Sequence, residues 1–143
     1  MTTEKVLYAT SATVQGGREG KVTSADGHLE LQLSTPKELG GNGGQGTNPE
    51  QLFAAGYSAC FQSALGLVAR RERIDTSNST ITGSVTLHPN GDGGFKLGVA
   101  LEVTIPGVEQ RVGEHLLELA HKVCPYSNAV RGNVDVELTF IEG

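Results

Sequence analysis

The sequence predicts an α+β fold, with antiparallel sheets around one long central helix. Three observations lead there. Blocks of alternating apolar residues lie on either side of residues 51–69, a run without a single charged side chain. Asp26-Gly27 and the glycine-rich stretch 89–94 each sit between alternating segments, which is how hairpin turns read. Residues 108–123 then repeat their apolar positions at helical spacing. The 143 residues suit a single domain spanning 1–143, large enough to bury a real core.

Taken in order, Val6, Tyr8, Thr10, Ala12 and Val14 share one side of an expected first strand. Residues 21–24 and 28–34 flank the Asp26-Gly27 turn, with Leu29, Leu31 and Leu33 alternating against Glu30 and Gln32. Residues 40–46 carry five glycines. They lack the Gly-Lys-Ser/Thr of a phosphate loop, so a flexible connection is expected. The long helix should start with Asn48 as cap, Pro49 at the first helical position and Gln51 completing a capping box. It should run to about Glu72, where the Arg70, Arg71 and Arg73 charges suit a helix C-terminus. Ile81, Gly83, Val85 and Leu87 alternate, and Phe95 to Ile105 alternate again after the turn, giving a half-buried antiparallel hairpin. The second helix ends at Cys124, because Pro125 cannot continue it but can open a further short turn. Val134, Val136, Leu138 and Phe140 make a last strand.

Eleven basic and sixteen acidic residues leave a net charge of −5 with no basic stripe, so nucleic acid is a poor partner. Residues 51–69 approach the roughly 20 needed to span a bilayer. Gln51, Tyr57, Ser58, Gln62, Ser63 and two glycines scattered through them argue instead for a buried helix, and no membrane role is expected. The start lacks the apolar run of a signal peptide, which points to the cytoplasm. There a static disulfide is unusual and a transient catalytic one is not.

Only two cysteines occur, Cys60 inside the apolar helix and Cys124 at the helix break, 64 positions apart. That spacing is no Cys-x-x-Cys motif. Two inert buried thiols and a working redox pair both fit the sequence. A thiol in an apolar helix is silenced by burial, so a reactive Cys60 needs a cation nearby. Arg18, in the Gly16-Gly17-Arg18-Glu19-Gly20 turn, is one candidate, although a solvated turn residue reads the same way. Glu50, in the first helical turn, equally fits ordinary complementation of the helix dipole. His121-x-x-Cys124 offers two ligands, too few for a zinc site, and neither metal nor cofactor is expected.

The segments Asn-Pro-Glu-Gln-Leu-Phe-Ala-Ala-Gly-Tyr-Ser-Ala-Cys-Phe at 48–61 and Val-Cys-Pro-Tyr-Ser-Asn-Ala at 123–129 are long and specific. With the Gly-Gly-Arg-Glu-Gly turn and the Pro36-Lys37-Glu38-Leu39-Gly40-Gly41 loop, they resemble the organic hydroperoxide resistance proteins over the whole chain. That group shares a superfamily with the osmotically inducible protein C type, its nearest confusion. The resemblance implies an intertwined homodimer and a thiol peroxidase acting on organic hydroperoxides. By the same resemblance Cys60 is the peroxidatic cysteine and Cys124 the resolving one. Arg18 would stabilise the thiolate and the peroxide, and Glu50 would orient Arg18. The disulfide would be reduced by dihydrolipoyl groups of lipoylated proteins. Leu52, Phe53 and Phe61 are candidates to bind an alkyl or acyl tail. Glu50 and Cys60, ten residues apart, are separated by about 15 Å along a straight helix. Either the helix bends near Gly56 or Glu50 comes from a partner chain, and the second is favoured. A thiol redox sensor and a non-catalytic carrier of apolar ligands are the alternatives.

Overall fold

The computed structural model describes residues 4–143, which form two compact units, one ending at Pro49 and one running from Glu50 to Gly143.

In the first unit, strands β1 (Ala12–Gln15), β2 (Lys21–Ser24) and β3 (Glu30–Gln32) form an antiparallel sheet in that order. Val22 pairs with Val14 on one side and Leu31 on the other, and Val22 and Leu33 are buried. The Asp26-Gly27 turn forms as the sequence predicts. Gly27 adopts a left-handed φ of 79°, and the Asp26 carboxylate accepts from Ser24 Oγ at 2.7 Å and His28 N at 2.9 Å. The glycine-rich loop returns to the sheet, with Thr47 N donating to Gln32 O and Ser34 N to Thr47 O. The expected first strand is shorter than its pattern. Residues 6–11 join no ladder, and Val6, Leu7 and Tyr8 lie exposed.

In the second unit, helix α1 (Pro49–Arg71) runs unbroken through Gly56 and ends within a residue of the expected place. Strands β4 (Thr80–Pro89) and β5 (Phe95–Thr104) pair antiparallel from Thr80↔Thr104 to Pro89↔Phe95. Helices α2 (Gln110–Val123) and α3 (Pro125–Val130) follow, and β6 (Val136–Phe140) completes a sheet of order β4-β5-β6. The β5–β6 pairing is parallel, from Val99↔Val136 to Val103↔Phe140, where antiparallel sheets are expected from the sequence. The reason is the connection. β5 returns through two helices rather than a tight turn, and such a crossover restores the same strand direction.

The core joins Tyr57, Phe61, Leu65 and Val68 of α1 to Leu101 and Val103 of β5, Leu116 of α2 and Phe140 of β6. Gly83 lets α1 cross β4 closely, since a Cβ there would meet Ser58 Oγ at 2.3 Å and Ala54 O at 3.2 Å. The length and apolar character of α1 would suffice to cross a membrane, but Tyr57, Phe61, Ala64, Leu65, Val68 and Ala69 are spent on this core.

Candidate active site

Cys60 sits on α1, half-buried, and Cys124 caps α3, fully buried. Both are free thiols. Cys124 Sγ donates to Cys60 Sγ across 3.6 Å. Sixty-four residues of chain are therefore closed to a near-contact between two sulfurs.

The sequence Cys124-Pro125-Tyr126-Ser127 explains the local geometry. Pro125 at the first helical position has no N–H, so the first donors of α3 come from the next two residues. Ser127 N donates to Cys124 Sγ at 3.5 Å, and the Tyr126 backbone amide favours the Cys60 thiolate. Burial pushes the Cys60 thiol up, the Tyr126 N–H pulls it down, and the neighbouring Cys124 pushes it up again. Burial is the largest of these influences, so a thiolate at Cys60 calls for further positive charge.

Three aromatic rings from α1 and α3 cluster together. Phe53 meets Tyr57 edge-on at 6.1 Å between centroids and Tyr126 at 6.2 Å, and Tyr57 and Tyr126 lie 5.6 Å apart. Behind them runs a hydrogen-bonded chain: Tyr57 Oη to Ser127 Oγ at 2.6 Å, and Ser127 Oγ to His121 Nδ1 at 2.8 Å. Burial raises the Tyr57 phenol and lowers His121, with the Arg131 guanidinium adding to the second effect. Arg131 also ties α2 to α3, donating to His121 O at 2.6 Å.

The other expected residues are placed as follows. Leu52 and Phe53 are half-buried on α1, whereas Phe61 is wholly enclosed in the core. Glu50 occupies the first turn of α1, also half-buried. Arg18 belongs to the first unit, in a 3-10 turn (Gly17–Glu19) entered through the left-handed Gly16. That turn is fastened by Thr35 N donating to Glu19 Oε2 at 2.8 Å and by Gln32 Nε2 donating to Gly20 O at 2.7 Å. Sequence reasoning missed Tyr57, Tyr126 and Ser127, and weighed His121 only as a metal ligand. No local pattern singles these residues out, because the enclosure of Tyr57 and Ser127 comes from packing between helices.

Residues 41–139 match the family model described as OsmC-like protein. The organic hydroperoxide resistance protein of Xanthomonas axonopodis pv. citri is 50% identical over 136 residues, covering 95% of this chain and 96% of its own. The chain belongs to the OsmC/Ohr family. A solved OsmC/Ohr structure from Legionella pneumophila, described as an organic hydroperoxide resistance protein, superposes with a TM-score of 0.90. It is 53% identical and covers 95% of this chain and 98% of its own. Another such protein, from Elizabethkingia anophelis, gives a TM-score of 0.92 at 49% identity, covering 98% of this chain and 100% of its own. The OsmC/Ohr fold is thus the α+β arrangement described above, with two small sheets and a long central helix.

Proposed function

We propose that this protein is a cysteine peroxidase that reduces organic hydroperoxides to alcohols. The observation that carries the reading is the 3.6 Å approach of Cys124 Sγ to Cys60 Sγ, with Cys124 also held by the Ser127 N–H. The names of the relatives, organic hydroperoxide resistance proteins, supply the oxidant class.

In the first step the Cys60 thiolate attacks one peroxide oxygen. The O–O bond breaks, the alkoxide takes up a proton and leaves as the alcohol, and Cys60 becomes a sulfenic acid. In the second step Cys124 sulfur attacks that of Cys60, the S–O bond breaks, and the hydroxyl departs as water with the thiol proton. Reaching the sulfenic stage beside a resolving thiol limits further, irreversible oxidation. A dithiol then returns two electrons and two protons, and dihydrolipoyl groups of lipoylated proteins are the proposed source.

Arg18 is the cation assigned to offset the burial of Cys60 and to bond the peroxide oxygens, and Glu50 holds its planar fork. Because α1 is unbroken, Glu50 and Cys60 of one chain lie about 15 Å apart along it. That separation favours a Glu50 contributed by the second copy of a homodimer. Exposed Val6, Leu7 and Tyr8 in the first unit, and separately Phe95 in the second, are apolar side chains available to such a copy. Leu52 and Phe53 are the proposed contacts for the alkyl or acyl tail, with Phe61 behind them in the core.

The test is peroxide consumption by the reduced protein with dihydrolipoamide, comparing tert-butyl hydroperoxide with hydrogen peroxide, for wild type and Cys60→Ser. Faster turnover of the organic peroxide, abolished in the variant, is expected. No turnover of either peroxide would refute the peroxidase and leave a redox sensor or an apolar-ligand carrier.

A further inference from the structure

Ser127 is fully buried, as is the Tyr57 that bonds to it, and its hydroxyl carries no part of the chemistry set out above. A serine so placed costs desolvation unless both of its hydrogen-bonding capacities are used, and an alanine of nearly the same size would avoid that cost. Both are used here. Tyr57 Oη lies 2.6 Å away from α1 and His121 Nδ1 2.8 Å away from α2, so three helices meet on one hydroxyl.

The two cross-connections between α1 and α3 run side by side. Tyr57 and Cys60 are three residues apart on α1, and neighbours at that spacing share a helix face. Cys124 and Ser127 are likewise three apart at the start of α3. One rung joins Cys60 to Cys124 at 3.6 Å, and the other joins Tyr57 to Ser127 at 2.6 Å. A disulfide needs its sulfurs at about 2.05 Å, so the sulfur rung must close by roughly 1.5 Å while the helices stay in register. A hydrogen bond fixed one turn away resists sliding of α3 along α1 during that closure.

We propose that Ser127, pinned between Tyr57 and His121, is the positioning residue for the resolving step, holding Cys124 in line with the Cys60 sulfenic acid. This rests on the peroxidase reading and adds a division of labour to it. The hydroxyl of Ser127 serves the second step and has no part in the first. Ser127→Ala keeps the backbone N–H to Cys124 but frees Tyr57 and His121. The register of the resolving thiol loosens, while attack on the peroxide at Cys60 proceeds.

The experiment treats fully reduced full-length protein with one equivalent of tert-butyl hydroperoxide. It follows sulfenic acid by dimedone trapping, disulfide by loss of free thiols, and over-oxidation by intact mass. For Ser127→Ala, sulfenic acid should form at the wild-type rate. Disulfide should close about tenfold more slowly, the factor matching the loss of both Ser127 side-chain hydrogen bonds at about threefold each. Sulfinic acid should accumulate at excess peroxide. A merely destabilised fold would slow both steps together. Tyr57→Phe removes a single hydroxyl and should slow closure about threefold, since Ser127 keeps its His121 bond. It alone decides the matter if Ser127→Ala does not fold. Folded variants that close the disulfide at the wild-type rate overturn the inference and leave the peroxidase intact. Wild type that forms neither dimedone adduct nor disulfide overturns both.

Discussion

Tyr126 lies across Gly56: a Cβ on Gly56 would come within 2.8 Å of the Tyr126 hydroxyl and 3.3 Å of its ring. The absence of a side chain in mid-helix thus lets the segment after Cys124 settle onto α1, the helix that carries Cys60. A glycine inside a helix ordinarily costs about 1 kcal/mol relative to alanine. Here it serves the approach of the two cysteine-bearing segments.

Gly56→Ala should therefore separate stability from activity. The gain in helix propensity offsets the displacement of the half-exposed Tyr126 ring, so the melting temperature should move by only a few degrees, the equivalent of about 1 kcal/mol. Peroxide turnover should fall severalfold because displacing Tyr126 disturbs the adjoining Cys124 and its 3.6 Å approach to Cys60. Thermal unfolding and steady-state turnover on the same sample check this, and unchanged turnover in a folded variant would show that the close approach is only structural.

The origin of Glu50 can be settled by mixing subunits. Cys60→Ser and Glu50→Gln should each be inactive as pure proteins. If Glu50 acts across a two-fold dimer, subunits exchanged one to one restore about a quarter of the sites, since half of the dimers are mixed and each carries one complete site. If Glu50 acts within its own chain, mixing restores nothing. Turnover per subunit after refolding the two variants together distinguishes these outcomes.

His121 gives stability a pH dependence with a definite sign. Burial first, and the Arg131 guanidinium second, hold its pKa below the ordinary value of 6.5. The folded protein therefore binds fewer protons at this group than the unfolded chain. Its contribution is complete above pH 6.5 and is lost as pH falls from there through the lower folded value. The carboxylates of Glu19, Asp26 and Asp75 are held low by hydrogen bonds and titrate below this window. Melting temperatures of wild type should thus fall between about pH 7 and pH 5. In His121→Gln the fall should be shallower. Identical slopes for the two proteins would assign the effect to another group.

The features legible from the sequence are those that rest on local pattern. The start of α1 follows from Asn48, Pro49 and Gln51, and the β4–β5 hairpin from strict alternation around a glycine-rich turn, so neither needs knowledge of distant residues. The parallel pairing of β6 was not legible, because strand direction depends on where the α2–α3 crossover returns, and Val136–Phe140 alternates the same way in either sense. Residues 6–11 show the opposite limit: alternation alone does not supply a neighbouring strand to complete the ladder. At the site, spacing left Cys60 and Cys124 open as inert thiols or a pair, and their roles came from resemblance. The 3.6 Å approach is a product of packing α3 onto α1. Ser127 was invisible for the same reason, since nothing in Tyr-Ser-Asn announces that its hydroxyl will be enclosed by three helices.

Gly113 carries the last prediction, one in which a substitution that usually stabilises a helix should do the reverse. It is buried in α2, and an added Cβ would lie 2.4 Å from three atoms of the Phe140 ring. Phe140 is itself buried at the end of β6, so the ring has no free space to yield. Gly113→Ala gains about 1 kcal/mol of helix propensity in principle. Overpacking of a closed core costs about 1–3 kcal/mol, and forcing a rigid ring against β6 belongs at the upper end. The net effect should be a loss of about 1–2 kcal/mol, read as a lower midpoint in urea with an unchanged slope. Trimming the ring in Gly113→Ala/Phe140→Leu should make the two changes less than additive, because the methyl then fills part of the space the ring vacates. A midpoint in Gly113→Ala equal to or above that of wild type would show that α2 can lift off β6, and that the contact between them is not the rigid one described here.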